Sequence, residues 1–370
     1  MKVTAIELHR LAMPLVRPFE TSIARHSARD LLLVHVLTDT SDGWGECIAP
    51  ADPIYSSEYV AGVDQVLREY LVPALLDAPT TPAEDFSNLV ASVRGHPMAK
   101  AALETALLDA QLRDTGTSFA QYFGGVRNQV DCGVAVGIAA GITELLDEVN
   151  EYVEAGYRRV SLKIQPGWDI GPVAAVRDLV GDDVLLQVDA QMAYSAADIR
   201  LLAELDAFDL VLIEQPFSED DVPAHILLAQ TIETPVCLDE SVVNATVAVD
   251  LIERGATSIV DIKAGRMGGY LEAVRAHDVC AELGVSVWCG GMLETGIGRS
   301  ANLALSAMEN FLLPADAGVP GRYFAEDLTE TVEMVDGRLD VPTGPGCGAQ
   351  VRQELVRDWA LGRPLVLHAG

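Results

Sequence analysis

A unit of one strand and one helix repeats every 24 to 26 residues through the middle of the chain, and it constrains the fold more than any other feature. The strands are short apolar runs that end at Ile138, Ile164, Val188, Ile213, Leu238, Ile262 and Trp288. Such alternation predicts parallel strands joined by crossover helices. Seven units are visible and residues 310–313 can supply an eighth strand, which is the number that closes a barrel. We therefore predict an α/β fold with a (β/α) barrel, a modified TIM barrel, over residues 126–314.

An open doubly wound sheet is the alternative to a barrel. That fold usually binds a dinucleotide through a GxGxxG turn after an early strand, and no such turn follows an early strand here. Polar residues that look functional instead recur on successive units, which favours the barrel.

The residues on either side of the repeat have a different organisation. Residues 1–125 combine antiparallel strand patterns with helices and predict an α+β domain. Its strands are expected at 3–14, 30–38 and 43–49, and its helices at 57–76 and 97–116. The last segment, 315–370, is rich in Gly, Pro and short β-prone pieces, and we expect it to pack back on residues 1–125.

Charged side chains close five of the predicted strands. They are Lys163, Asp189, Glu214, Asp239 and Lys263, with spacings of 26, 25, 25 and 24 residues. Each therefore lies at the carboxyl end of its strand, where the active sites of such barrels lie. A single Asp there would most simply cap the next helix, and a single Lys would extend to solvent. Five charged side chains at equivalent strand ends must instead neutralise one another or bind a cation, because isolated buried charges are costly.

The three carboxylates predict a cation site. Asp189, Glu214 and Asp239 stand on three consecutive strands, so we expect their side chains to converge. Three oxygen donors without an equivalent His or Cys favour a hard cation, Mg²⁺ before Mn²⁺ or another divalent ion, and disfavour zinc.

The two lysines flank this site. Lys163 lies one strand before the carboxylates and Lys263 one strand after them, so in a ring of eight strands they face each other across the barrel. This geometry suits removal of a proton from one face of a carbon and its return to the other. The cation would hold the substrate carboxylate and stabilise the enediolate. A lysine base needs a lowered pKa, towards which the cation and, for Lys263, Arg266 would contribute positive charge.

Motifs along nearly the whole chain carry a family resemblance. They are Pro18-Phe19, Gly43-Trp-Gly-Glu46, Tyr55-Ser-Ser-Glu58, Leu162-Lys163-Ile-Gln-Pro-Gly-Trp-Asp169, Val188-Asp189-Ala, Ile213-Glu214-Gln-Pro, Leu238-Asp239-Glu-Ser, Ile262-Lys263-Ala-Gly-Arg266 and Trp288-Cys-Gly-Gly-Met-Leu-Glu294. With them the chain resembles the enolase superfamily, in its muconate-lactonising subgroup. That superfamily combines a Lys or His base with Mg²⁺. Within the subgroup the chain is most similar to N-acylamino-acid racemases that also act as o-succinylbenzoate synthases. That branch has an Arg at the position of Arg266.

The resemblance implies an enolase-like fold in which residues 1–125 cap the barrel mouth. It implies that Lys163 and Lys263 are the catalytic acid/base pair and that Asp189, Glu214 and Asp239 bind Mg²⁺. Residues 19–29 and 49–55 would face the variable end of the substrate. The substrate-binding candidates are Phe19, Tyr55, Ser161, Gln191, Arg266, Gly291, Met292 and Glu294. Packing within the cap is an equal interpretation for Phe19 and Tyr55, and we expect Glu240 and Glu294 to orient the site rather than to react.

Two positions depart from the family pattern. Ser161 replaces the first Lys of a Lys-x-Lys pair, which removes a cation that would lower the pKa of Lys163 and contact the substrate carboxylate. Gln191 stands where Asn is common. Both lysines and all three carboxylates remain, so proton abstraction is retained as the reaction class.

The resemblance therefore implies a magnesium-dependent isomerase or lyase that abstracts the α-proton of a carboxylate. It would act as an N-acylamino-acid (N-succinylamino-acid) racemase, an o-succinylbenzoate synthase, or both. The alternatives are a cycloisomerase or a dipeptide epimerase, although the Asp-x-Asp pair usual in the latter is reduced to Asp316. A mandelate-type racemase would place a His at a late strand end, and none is found there. A catalytically silent ligand-binding relative is a third interpretation, prompted by Ser161 and Gln191.

Net charge limits the partners. With 55 acidic and 25 basic residues the formal net charge is −30, which argues against nucleic acid and anionic membranes as partners. No membrane-helix run or signal peptide is visible, and the six cysteines form no CxxC pair. We expect a soluble cytoplasmic homo-oligomer whose partner is a small-molecule carboxylate.

Overall fold

The computed structural model describes residues 1–330 and 332–370. Its strands are β1 (Val3–Glu20), β2 (Arg25–Thr38), β3 (Asp42–Cys47), β4 (Gln129–Asp131), β5 (Gly133–Val136), β6 (Arg159–Lys163), β7 (Leu185–Asp189), β8 (Ile213–Glu214), β9 (Val236–Leu238), β10 (Ile259–Asp261), β11 (Ser286–Trp288), β12 (Arg338–Asp340) and β13 (Leu365–His368). The predicted segment 315–370 includes residue 331, which lies outside the described residues.

The α-helices are α1 (Val60–Val66), α2 (Val72–Asp77), α3 (Ala83–Leu89), α4 (Pro97–Thr115), α5 (Phe119–Phe123), α6 (Ile142–Glu154), α7 (Ile170–Val180), α8 (Ile199–Leu202), α9 (Val222–Ala229), α10 (Ala245–Glu253), α11 (Ala264–Met267), α12 (Tyr270–Glu282), α13 (Gly296–Ser306) and α14 (Gln353–Asp358). A π-helical turn spans Leu67–Leu71, and 3₁₀ turns span Ala196–Asp198, Ala203–Phe208 and Pro320–Arg322. Among the helices of residues 1–330 and 332–370, none has both the length and the apolar character that crossing a membrane requires.

Strands β5 to β11 form the predicted parallel sheet. Their order is β11-β10-β9-β8-β7-β6-β5, so strands that follow each other in the chain are neighbours in the sheet. Residues 310–316 join the two edges of this sheet, because Phe311 forms a bridge with Val287 of β11 and Ala315 forms one with Cys132 beside β5. Both edges are thus bonded to one segment and the sheet closes into a ring, which confirms the α/β barrel.

The segment 310–313, all of it described, does not form the expected eighth strand. Its place is taken by single bridges, because Pro314 has no N–H with which to extend a ladder. The carbonyl oxygen of Pro314 instead accepts a 3.0 Å hydrogen bond from Nε of Arg159. The barrel is therefore closed by a short irregular connection.

The helix predicted at 57–76 is also interrupted. Helix α1 passes into the π-helical turn and then into α2, which has a proline in its first turn. That residue, Pro73, lacks the N–H that would continue the regular bonding pattern, and a π-turn accommodates the defect. The helix predicted at 97–116 is confirmed as α4, which ends at Gly116 with a φ of 72° in the left-handed region.

A second sheet lies in the cap. It is antiparallel in the order β13-β1-β2-β3. The pairing of β13 with β1 sets Ala5 opposite His368 and Leu8 opposite Leu365. Strand β12 pairs with β4 in a separate two-stranded sheet. Residues from the last part of the chain therefore complete sheets that were begun much earlier.

Strand β3 packs directly on α4 because Gly43 and Gly45 have no side chains. A Cβ at Gly45 would overlap the carbonyl oxygen of Ala102, and one at Gly43 would overlap the backbone of Ala110. Gly45→Ala is therefore expected to lower the free energy of unfolding by about 1–3 kcal/mol. The midpoint of urea unfolding measures this change.

Gly171→Ala is the matched control for this prediction. Gly171 lies in α7, and a Cβ there would have nothing within 4 Å. The control is expected to be neutral or slightly stabilising, because alanine favours helix more than glycine does. Equal losses of stability in the two variants would contradict the packing explanation.

Glu46 joins the cap to the barrel. Its carboxylate, at the end of β3, accepts hydrogen bonds from the backbone N–H of Thr295 at 3.0 Å, the hydroxyl of Thr295 at 2.6 Å and the N–H of Gly298 at 3.2 Å. These donors lie at the start of α13, where a carboxylate satisfies amides that have no partner in the helix. Burial raises the pKa of Glu46 to about 7. The junction therefore fixes the cap over the barrel mouth.

Candidate active site

A cavity of about 320 Å³ lies between the cap and the carboxyl ends of the barrel strands. The cap lines it with side chains from residues 19–30 and 48–55, the two segments that were expected to face the substrate. The predicted site residues in its wall are Phe19, Tyr55, Lys163, Gln191, Lys263, Gly291 and Met292. The cavity therefore brings both predicted reactive lysines to one volume between the cap and the barrel.

Arg29 and Arg266 hold the cap segment that carries Tyr55. The guanidinium of Arg29 donates a 2.7 Å hydrogen bond to the carbonyl oxygen of Ala49, at the start of this segment. The Tyr55 hydroxyl accepts a 3.1 Å hydrogen bond from Nη1 of Arg266. The phenol ring is thus fixed from the barrel side as well as from the cap.

Lys163 and Asp189 form the first charged pair. They are register partners at the ends of β6 and β7. The Lys163 ammonium donates to Oδ2 of Asp189, while Oδ1 of Asp189 accepts a 2.9 Å hydrogen bond from the N–H of Gln191. Gln191 has a φ of 42°, in the left-handed region, so the chain turns sharply after the strand and places Gln191 in the cavity wall.

Lys263 forms the second charged centre. It follows β10 and is the residue before α11. Its Nζ lies 2.6 Å from Oδ2 of Asp239, 3.3 Å from Oδ2 of Asp261 and 3.9 Å from Oε1 of Glu214. All three carboxylates are buried. Lys263 is therefore held among three acidic groups that solvent barely reaches.

The tightest group of carboxylates differs from the predicted trio by one member. Oxygen atoms of Glu214, Asp239 and Asp261 lie within 4.8 Å of one another. Asp189, which the sequence analysis placed in the trio, is bonded to Lys163. Sequence reasoning did not assign Asp261 a role. A signal was present, because Asp261 ends β10 two residues before Lys263, and alternate residues of an extended chain share a face.

The pKa values of these groups reflect burial and the neighbouring charges. Burial raises the pKa of Glu214 well above its usual range, and the charges of Asp189 and Asp261 raise it further. Burial raises the pKa of Asp261 to about 7, although Lys263 opposes the shift. Burial also acts on Asp239, but there Lys263 and Arg266 outweigh it and hold the pKa below its usual range.

Both lysines have raised pKa values in the protein alone. Burial lowers the pKa of Lys163, but the charges of Asp189 and Glu214 outweigh it. The same balance with Asp239 and Asp261 raises the pKa of Lys263 well above its usual range. A lysine that acts as a base was expected to have a lowered pKa. The structure shows the opposite shift, because each ammonium is paired with a carboxylate.

Arg266 contacts Asp239 as well as Tyr55. Its Nη1 lies 3.1 Å from Oδ1 of Asp239, and its Nη2 donates a 2.7 Å hydrogen bond to the carbonyl oxygen of Glu240. The Glu240 carboxylate is buried and has no hydrogen-bond partner in the part of the chain that the structure describes, and burial raises its pKa to about 8. Arg266 therefore fixes the orientation of the Asp239 carboxylate, which also holds Lys263.

Ser161 and Glu294 are bonded within the protein. The Ser161 hydroxyl accepts a 3.1 Å hydrogen bond from Nε2 of Gln187, which also lies 3.3 Å from Oε2 of Glu214. Glu294 accepts hydrogen bonds from the N–H of Met292 at 2.7 Å and from Nδ2 of Asn302 at 3.1 Å. Glu294 thus orders the loop that supplies Met292 to the cavity.

Asp316 is a further acidic residue of the cavity that sequence reasoning did not place there. It lines the cavity next to Gly291, and a Cβ at Gly291 would approach its backbone carbonyl oxygen to 2.9 Å. In the sequence, Asp316 was notable only because it is the single Asp where dipeptide epimerases usually have an Asp-x-Asp pair. Its position depends on the irregular closure of the barrel after Pro314, which local periodicity does not describe.

The donor set fits a hard divalent cation. Among the described residues, Oε1 of Glu214 is buried and accepts no hydrogen bond, and buried Oδ2 of Asp261 has the Lys263 ammonium 3.3 Å away as its charged neighbour. Four carboxylates, those of Asp189, Glu214, Asp239 and Asp261, meet in a region where lysine and arginine supply three positive charges. Buried acidic oxygens that lack a partner are costly unless a cation or proton satisfies them. Oxygen donors alone suit Mg²⁺ or a similar ion.

Comparison with known proteins agrees with this geometry. Residues 144–355 match the family model described as enolase C-terminal domain-like. Residues 5–124 match the N-terminal domain of mandelate racemase and muconate lactonizing enzyme. A crystal structure of an enolase superfamily member from Listeria innocua Clip11262 superposes with a TM-score of 0.95 at 33% identity and covers 100% of both chains.

Two relatives are similar over nearly their whole lengths. An N-succinylamino acid racemase from Amycolatopsis sp is 54% identical over 356 residues, covering 96% of this chain and 97% of the relative. An o-succinylbenzoate synthase from Geobacillus kaustophilus is 40% identical over 358 residues, covering 96% of this chain and 95% of the relative. The chain therefore belongs to the enolase superfamily, in the family of mandelate racemase and muconate lactonizing enzyme.

Proposed function

We propose that this enzyme abstracts the α-proton of a small-molecule carboxylate and that its substrates are N-acylamino acids, N-succinylamino acids above all, the o-succinylbenzoate precursor, or both. The observation that carries the proposal is the placement of Lys163 and Lys263 in the wall of one cavity, each beside a buried carboxylate. The names of the relatives from Amycolatopsis and Geobacillus support the two substrate classes.

In this proposal Lys163 and Lys263 are the acid/base pair. One lysine removes the α-proton from one face of the carbon, and the other delivers a proton to the opposite face in racemisation. In the dehydration, one lysine removes the α-proton and then donates it to the hydroxyl that leaves from the same face, so that a carbon–carbon double bond forms and water departs. Enclosure under the cap keeps water from competing for these protons.

Asp189, Glu214 and Asp239 are the proposed ligands of the cation, with Mg²⁺ as the first choice. When bound, a divalent cation supplies positive charge that stabilises the negative charge developing on the substrate carboxylate. Arg266 holds Asp239 in position, and Asp261 remains beside Lys263. Ser161 and Gln187 orient Glu214 from inside the barrel.

The remaining candidates are proposed to shape the binding of the substrate. Phe19 and Tyr55 would contact the acyl group or side chain from the cap, while Gln191, Gly291 and Met292 would enclose the reacting end from the barrel. All five line the cavity. Arg266 and Glu294 would act by positioning these groups, through Tyr55 and the N–H of Met292 respectively.

Deuterium exchange tests the function. The purified protein with Mg²⁺ is incubated in heavy water with N-succinyl and N-acetyl amino acids, and exchange at the α-carbon is followed by NMR together with loss of optical rotation. Conversion of the o-succinylbenzoate precursor is followed by absorbance. Exchange or dehydration that requires the cation is expected. The absence of both, from a folded protein that binds the cation, would refute the substrate assignment.

Cation binding is expected to become stronger as the pH rises. Lys163, Lys263 and Glu214 have raised pKa values in the protein alone. If Asp189, Glu214 and Asp239 hold the cation, Glu214 must be ionised and the carboxylates would no longer stabilise the charged form of the lysines, so binding would release protons. The affinity for Mn²⁺ should then increase by up to about tenfold per pH unit for each proton released. Titration of Mn²⁺ by EPR between about pH 6 and 9 measures this, and an affinity independent of pH would contradict it.

We also propose the division of the chain into a cap of residues 1–125, a barrel of 126–314 and a segment 315–370 that completes the cap. Pairing of β13 with β1 supports the last assignment.

A further inference from the structure

Two histidines and a glutamate meet on one face of the cap sheet, away from the cavity described above. Glu7 lies opposite His35 in the pairing of β1 with β2, and His9 follows two residues after Glu7 on the same face. Trp44, the partner of His35 on β3, stacks on the His35 ring with 3.9 Å between ring centroids. We refer to Glu7, His9 and His35 as the cap-sheet cluster.

Carboxylate oxygens lie beside the nitrogen atoms of both imidazoles in this cluster. Oε2 of Glu7 lies 3.0 Å from Nε2 of His9 and 3.4 Å from Nδ1 of His35. Nε2 of His35 lies 2.7 Å from Oδ2 of Asp42. A neutral imidazole has a single N–H. If Asp42 accepts it, Nδ1 of His35 presents a lone pair to the Glu7 carboxylate, and two acceptors then face each other.

The same distances suit a metal ion. A tetrahedral ion with bonds of about 2.0–2.1 Å separates its ligand atoms by about 3.3 Å, close to the 3.0 and 3.4 Å found from Glu7 to the two imidazoles. One ligand atom from each of the three residues lies within 4.8 Å of the others. Asp42 bonded to the far nitrogen of His35 is the carboxylate–histidine arrangement that orients metal-binding imidazoles.

The surroundings leave one side of the cluster open. A cavity of about 440 Å³ lies above it and is lined by Glu7, His9 and His35, with α14 and residues 360–364 as its opposite wall. Arg357 and Arg363 belong to that wall. An ion held by three protein ligands would therefore retain a position for water or an anion, and the arginines favour the anion.

We propose that Glu7, His9 and His35 bind a borderline divalent transition metal, Zn²⁺ first, at a site separate from the proton-abstraction site. Two imidazoles and one carboxylate favour Zn²⁺, Ni²⁺ or Cu²⁺ over Mg²⁺. The oxygen-only donors of the barrel favour the opposite choice. A bound ion would cross-link β1 to β2, so the free energy of unfolding should rise when the site is filled.

Copper EPR identifies the ligands directly. The full chain is first saturated with Mg²⁺ so that the oxygen site is occupied, and one equivalent of Cu²⁺ is then added. Nitrogen superhyperfine coupling from two imidazoles is expected. Calorimetric titration with Zn²⁺ in the same excess of Mg²⁺ should show one site, and Zn²⁺ should raise the Tm.

Single variants assign the signal to residues. His9→Gln is expected to weaken Zn²⁺ binding by at least about 100-fold and to reduce the nitrogen coupling to one imidazole. Asp42→Asn, which leaves all three ligands in place, should weaken binding by about 10–100-fold. His368→Gln is the matched control, because it removes an exposed imidazole from the same sheet and should change neither measurement.

Three results would overturn the proposal. They are a Cu²⁺ spectrum with oxygen donors only, Zn²⁺ binding unchanged in His9→Gln, and equal losses in His9→Gln and His368→Gln. His9 is chosen over His35 for the primary variant because His35 packs on Trp44, and circular dichroism establishes that each variant is folded.

Discussion

Replacing Lys163 or Lys263 by alanine is expected to reduce kcat by about 10²–10⁴-fold, the usual contribution of a general acid or base. Both lysines lie in the cavity wall, and each is held at its own position by a different buried carboxylate, Lys163 by Asp189 and Lys263 by Asp239. The decisive measurement is α-proton exchange from each enantiomer separately. With two bases on opposite faces, each variant should lose proton removal from one enantiomer much more than from the other.

Lys100→Ala is the control for these variants. The chain has only four lysines, Lys2, Lys100, Lys163 and Lys263. The Lys100 ammonium donates to the carbonyl oxygen of Val93 within the cap, so its loss should leave turnover unchanged. Exchange of both enantiomers at wild-type rates in Lys163→Ala or Lys263→Ala would refute the two-base assignment.

Asp189→Asn is expected to weaken divalent cation binding by at least about 100-fold. Even the loss of a residue that only hydrogen-bonds to a metal ligand typically lowers metal affinity by about 10–100-fold. Asp261→Asn is expected to have a much smaller effect. Asp189 and Asp239 each hold one of the reactive lysines, so a cation on both would release both lysines at once. Oδ1 of Asp261 already accepts a 2.6 Å hydrogen bond from the N–H of Gly290.

The comparison of these two variants decides between two ligand trios. Mn²⁺ titration by EPR gives the affinity of each variant, with circular dichroism as the check of folding. Loss of affinity in Asp261→Asn together with retention in Asp189→Asn would assign the ion to Glu214, Asp239 and Asp261, the group with the closest oxygen atoms. The proposed trio would then be wrong, although the proposal that Lys163 and Lys263 are the acid/base pair would stand.

The barrel and the meeting of the charged residues could be predicted from the sequence because both depend on short-range patterns. A period of about 25 residues sets the strands in parallel, and a charge at the end of an apolar run is visible without any knowledge of packing. Lys163 and Asp189, for example, are direct register partners. The boundaries of α4 were also predictable, because Pro97 and Gly116 are local signals of its two ends.

Other features depend on contacts that no local pattern reports. The approach of Asp261 to Glu214 and Asp239 follows from the closed ring, which brings the side chains of different strands together. The raised pKa values of both lysines follow from which carboxylates pair with them. Likewise His9 and Glu7 share a strand face, but the presence of His35 beside them depends on the register of β1 against β2. Two bridges replace the strand predicted at 310–313. Pro314 has no N–H to extend a ladder, and its carbonyl oxygen accepts a hydrogen bond from Arg159, a contact that exists only in the closed ring.

The pairing of β1 with β13 has a consequence for the synthesis of the protein. The two partners are about 360 residues apart in the chain, so the outer edge of β1 leaves the ribosome long before its partner is made. At about 5–20 residues per second, that edge waits roughly 20–70 seconds for β13. An unpaired strand edge is a template for association with other chains. Nascent chains interrupted before Leu365 would therefore retain an open edge at which other chains can associate.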